Sequence, residues 1–79
     1  MYILIIEDDS KLANYISNGL SQESHNVDVA HDGIEGLDFC FDSKYDVIIV
    51  DRMLPKLNGI SIIKALRQNN IYTPVLILS

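Results

Sequence analysis

Three apolar runs in this 79-residue chain each end on an oxygen-bearing side chain. Tyr2-Ile3-Leu4-Ile5-Ile6 gives way to Glu7-Asp8-Asp9, Tyr45-Asp46-Val47-Ile48-Ile49-Val50 to Asp51, and Pro74-Val75-Leu76-Ile77-Leu78 to Ser79. The apolar stretches do not alternate with polar residues, which is the pattern of strands buried on both faces of a parallel sheet. Each oxygen then stands where its strand leaves the core.

What lies between these runs has helical spacing. Asp9 or Ser10 caps a first helix over 10–21, in which Leu12, Ala13, Ile16 and Leu20 form the apolar stripe. Asn26-Val27-Asp28-Val29-Ala30 alternates polar and apolar residues, as an edge strand with one protected face does. Asp32-Gly33-Ile34-Glu35 has the form of a capping box, and a second helix over 33–42 carries Gly36, Leu37, Cys40 and Phe41 as its stripe. Asn58-Gly59 opens a third helix, with Ile60, Ile63 and Leu66 at helical spacing, Ile62 beside them, and Asn69-Asn70 at its end. The order β-α-β-α-β-α-β predicts an α/β fold, with a parallel sheet and helices on both faces, in a single domain over 1–79.

The chain's balance narrows its partners. A net charge of −5 disfavours nucleic-acid contact by this segment, because phosphate binding needs clustered Lys and Arg. No apolar run approaches the length of a membrane span, and Met1 leads into a strand with no signal peptide before it. The single cysteine, Cys40, sits among apolar neighbours and reads as a small core residue, so a cytoplasmic chain is expected. His25 and His31 flank the edge strand without further ligands at metal spacing and read as surface residues.

In open α/β sheets, ligands bind beyond the carboxyl ends of the strands, at the point where the winding reverses. If strand one lies between strands two and three, Glu7, Asp8 and Asp51 meet there. Without these three the net charge would be −2 rather than −5. Such a concentration of carboxylates is relieved by a hard divalent cation, for which Mg²⁺ is the usual occupant. Asp9 needs no such account, since a helix cap explains it. Asp51 does, because a loop containing Pro55 follows it and no helix starts there.

These residues resemble a family. The chain is similar over its whole length to the receiver domain of bacterial two-component response regulators. The likeness rests on the acid pair Glu7-Asp8, on Asp51, on Met53-Leu54-Pro55 with Gly59 four residues on, and on Ser79. The Met-Leu-Pro segment is similar to the winged-helix, OmpR/PhoB-type subgroup. The resemblance implies a flavodoxin-like or CheY-like doubly wound sheet in the order 2-1-3-4, with the family's fifth strand, its Lys and the last two helices falling beyond Ser79. It further implies Asp51 as phosphoacceptor from a histidine kinase, and Mg²⁺ held by Asp8, Asp51 and the backbone carbonyl of Met53, with Glu7 helping through water. Ser79 would make the switching contact to the phosphoryl group. Transcription would be controlled through a DNA-binding domain outside these residues, and the chain would be a signalling domain with only weak autophosphorylation and autodephosphorylation chemistry.

Other readings fit less well. Phosphatases and ATPases with an aspartyl-phosphate intermediate place a second acid where Met53 stands, and a flavodoxin-like phosphate loop would not carry Glu7-Asp8-Asp9. An interaction module that kept the fold and lost phosphorylation remains the main alternative. Lys11 and Lys56 read as solvated. The uncharged run Val75-Leu76-Ile77-Leu78, left as a sheet edge, predicts that the chain associates, most simply as a homodimer through its strand-four edges or through the bare faces beside helix one.

Overall fold

The computed structural model describes residues 1–42, 44–51, 54 and 56–78. Strands and helices alternate: β1 (Tyr2–Ile6), α1 (Ser10–Gln22), β2 (Asn26–Ala30), α2 (Gly33–Cys40), β3 (Val47–Asp51), α3 (Gly59–Gln68) and β4 (Val75–Leu78). The three strand pairings are all parallel and the sheet runs β2-β1-β3-β4, the expected order. β1 is therefore central, and Ile3, Leu4, Ile5 and Ile6 are each no more than 3% exposed.

Successive residues of a strand point to opposite faces, and the two faces here are unequal. On one, Leu4 and Ile6 of β1 and Ile48 and Val50 of β3 join Cys40 of α2 and Ile62 and Leu66 of α3 in a closed core. Ile3 and Ile5 point to the other face, beside α1, whose only buried residue is Ala13. The stripe expected on α1 is only partly covered: Ile16 and Leu20 are half-buried and Leu12 is exposed. No second helix packs next to α1 on that face among the described residues, so its flank stays open. The same flank carries a shallow cavity of about 450 Å³ lined by Tyr15, Ile16, Gly19 and Leu20.

Several boundaries differ from expectation for local reasons. α2 stops at Cys40 because Phe41 and Asp42 close it with tight turns onto the carbonyls of Asp38 and Phe39. In α3 the buried line is Gly59, Ile62 and Leu66, while Ile60 points outward, so Ile62 is the core residue of the pair. Tyr45 and Asp46 precede β3 instead of opening it. Asp46 is still tied to β1, its N–H donating to the Tyr2 carbonyl at 2.7 Å and its carboxylate accepting from the Tyr2 N–H at 2.7 Å. Tyr45 is buried and donates its hydroxyl to Asp28 at 2.7 Å, and the Lys44 ammonium lies 3.4 Å from the same carboxylate. Burial and that carboxylate together push the Tyr45 phenol up, and the hydroxyl hydrogen bond holds Asp28 below the usual carboxylate range. This polar group fastens the amino end of β3 to the middle of β2.

Cys40 is the core residue its neighbours implied. It is 1% exposed and reduced, and burial pushes its thiol up to about 12, which leaves it unreactive at neutral pH. No described helix is long and apolar enough to cross a membrane.

Candidate acidic metal and phosphoacceptor site

The register of the sheet brings the acids together. Ile6 pairs with Val50 across β1 and β3, so the next residues along each strand, Glu7 and Asp51, leave the sheet side by side. The turn into α1 then carries Asp8. One carboxylate oxygen from each of Glu7, Asp8 and Asp51 lies within 4.8 Å of the other two. The convergence expected from the sequence is thus present.

The three acids differ in environment. Glu7 is buried, Asp51 is half-buried and Asp8 is exposed. Glu7 is held from both sides, its N–H donating to the Ala30 carbonyl at 3.0 Å and its Oε2 accepting from the Asp9 N–H at 3.1 Å. Burial raises the Glu7 carboxyl above its ordinary range; the Asp9 N–H works against this, and Asp8 and Asp51 add to the rise. Asp9 faces away from the cluster. Its Oδ1 accepts from the Lys11 and Leu12 N–H groups at 3.0 and 3.3 Å, making it the α1 cap that its position predicts.

A hard divalent ion suits this donor set. Two oxygens on opposite sides of one Mg²⁺ stand about 4.2 Å apart, and somewhat farther for a larger ion or with a water interposed. The 4.8 Å span of the cluster is of that size. A carboxyl raised by burial, and further by two acidic neighbours, is also what a cation would relieve. Met53 and Ser79, expected as a carbonyl ligand and a phosphoryl contact, lie outside the described residues.

One pairing near the site has no signature in the sequence. Asp32 caps α2 by accepting the Glu35 N–H on Oδ1 at 2.9 Å, and its Oδ2 takes the Lys56 ammonium at 3.3 Å. Lys56 is solvated, as expected, and its exposed ammonium also makes this surface pair. A cap residue has a second oxygen to offer, but which distant cation takes it depends on the fold.

A parallel sheet in this order with three carboxylates at its carboxyl end defines a receiver-type signalling domain. The chain belongs to the response regulator receiver domain family, which matches residues 3–79. It is 43% identical over 77 residues to the response regulator ArlR of Staphylococcus aureus, an alignment covering 98% of this chain and 35% of that protein. The chain therefore spans about a third of the length of the curated relatives it matches. The receiver domain of Francisella response regulator 1452 superposes with a TM-score of 0.94 at 44% identity, over 99% of this chain and 64% of that one. The receiver domain of the sensor histidine kinase PA1611 from Pseudomonas aeruginosa, solved with a magnesium ion coordinated in its active site cleft, gives 0.91 at 29% identity, over 99% and 66%.

Proposed function

We propose that residues 1–79 are the N-terminal part of one receiver domain, and that Asp51 accepts a phosphoryl group from the phosphohistidine of a sensor histidine kinase. The observation that carries this is the meeting of three carboxylates at the carboxyl end of β1 and β3 in a chain of this family. Glu7, Asp8 and Asp51, with the backbone carbonyl of Met53, would hold Mg²⁺. When bound, that ion supplies the charge neutralisation that phosphoryl transfer demands.

The chain's own groups do the rest. A carboxylate oxygen of Asp51 bonds to phosphorus as the P–N bond of the phosphohistidine breaks. The bonding pair returns to the imidazole nitrogen, which takes up a proton, and Asp51 becomes an acyl phosphate. Ser79 donates its hydroxyl to the transferred group. Acyl phosphates hydrolyse readily, which suits a signal that must decay. Transcription would be controlled through a DNA-binding domain of the winged-helix type, in the cytoplasm, and residues 1–79 taken alone would associate as a homodimer through the β4 edge or the flank beside α1.

Phosphorylation tests the central step. Incubation of the complete receiver domain with Mg²⁺ and acetyl phosphate is expected to add one phosphoryl group that hydroxylamine removes, as it does acyl phosphates. A complete receiver that binds Mg²⁺ and stays unlabelled would favour the interaction module.

The ion itself gives a second test. Asp8→Ala is expected to weaken Mg²⁺ binding about tenfold or more, since it removes one of three charges from a shared site, whereas Asp9→Ala removes only a helix cap, worth about 1 kcal/mol of stability. A calorimetric titration showing equal losses would place the wrong acid in the cluster. For the homodimer, Leu76→Lys sets a charge on a strand residue that is 54% exposed and should lower the association constant at least about tenfold. Sedimentation of the unsubstituted chain as a monomer at high concentration would remove that part of the proposal.

A further inference from the structure

Lys56 and Leu57, in the connection between β3 and α3, rest on the start of α2. Gly33, the first residue of α2, meets Leu57 so closely that a Cβ there would stand 2.0 Å from the Leu57 carbonyl oxygen and 2.6 Å from its Cβ. One residue earlier, Lys56 holds a left-handed backbone (φ 69°), unusual for a side-chain-bearing residue, while its ammonium reaches Asp32 at 3.3 Å. One residue later, Asn58 caps α3 and accepts the Ser61 N–H at 2.9 Å. Gly59 then returns to the site, where an added Cβ would lie 3.4 Å from the Asp51 carbonyl oxygen. Lys56 and Leu57 are thus seated on the first turn of α2, two residues before Gly59 comes against Asp51.

We infer that Asp32, Gly33 and Lys56 are positioning residues for the acid cluster: they seat the β3–α3 connection on α2, and so make the cluster's affinity for a divalent cation depend on that seat. The inference rests on the reading of Glu7, Asp8 and Asp51 as a cation site. Because binding linkage is reciprocal, filling the cluster must also act on the first turn of α2.

The charge of Lys56 makes the test one of sign. Removing a cation near an acidic site should tighten Mg²⁺ binding if only through-space electrostatics operate. Loss of the seat acts the other way. Lys56→Ala retains the left-handed backbone cost and is expected to weaken Mg²⁺ binding about two- to fivefold, the scale of an exposed ion pair, with Lys56→Arg restoring it. Asp32→Asn keeps an N-cap side chain while removing the pair, and in that background Lys56→Ala should no longer weaken binding. Gly33→Ala must push the Leu57 carbonyl away by about 1 Å and should lose tenfold or more. In the unsubstituted protein, titration with Mg²⁺ followed by NMR should move the Gly33 and Glu35 amide signals. Equal or tighter binding in Lys56→Ala would overturn the inference, since that variant alters only an exposed side chain and should fold. An unsubstituted chain that bound no Mg²⁺ would remove the acid-cluster reading, and this inference with it.

Discussion

Asp51→Asn is expected to reduce phosphorylation by acetyl phosphate or a kinase by more than about 10³-fold, the scale on which enzymes lose rate when a covalent nucleophile is removed. The amide is nearly the same size as the carboxylate, so the parallel pairing of β3 with β1 and β4 should persist, and a circular dichroism spectrum like that of the unsubstituted chain would show it. What disappears is the anionic oxygen proposed to attack phosphorus. Neither neighbouring acid is placed to take over. Glu7 is buried and committed to the Asp9 N–H, and Asp8 is exposed beyond the strand end. Label retained on Asp51→Asn, still released by hydroxylamine, would assign the acyl phosphate to another carboxylate and sink the reading of Asp51.

The second large effect concerns stability. Leu4→Ala is expected to cost about 2–5 kcal/mol, the range for deleting a fully buried leucine side chain from a core. Leu4 is 0% exposed on the central strand, in the one cluster that joins the sheet to α2 and α3. Domains near this size rarely draw more than about 3–5 kcal/mol from a single core, so the substitution should leave much of the chain unfolded at 25 °C. Leu76→Ala is the control. The same deletion at a residue 54% exposed should cost less than about 1 kcal/mol. Urea unfolding of the two variants compares them directly, and a loss below about 1 kcal/mol at Leu4 would mean that the cluster is not the core.

The sequence showed the strands more clearly than the helix faces, and the reason is physical. A strand buried on both sides must be apolar throughout, so the Ile3–Ile6 stretch and the run before Asp51 mark themselves whatever packs on them. A helix face depends on what lies opposite. Ile60, Ile62, Ile63 and Leu66 are all compatible with a stripe, and only the docking of α3 on Ile48 and Val50 selects Ile62 and Leu66. Leu12 follows the periodicity of α1 yet stays exposed, because periodicity offers a face for burial without supplying a partner. The acids were legible as a set, since topology alone sends the ends of β1 and β3 to one place. The Lys56–Asp32 pair was not, because 24 residues separate its members and no local pattern joins them.

The pairing of Ile6 with Val50 has a consequence for how such a chain can change over generations. Lengthening a surface turn leaves this pairing alone, but deleting one residue within β3 would rotate every following side chain to the opposite face. Val50 would leave the core in the same step that took Asp51 away from Glu7 and Asp8. A lineage cannot lose the acid's placement by such a deletion and keep the packing, so selection for a folded protein also guards the spacing of the charged cluster against single-residue deletions in β3.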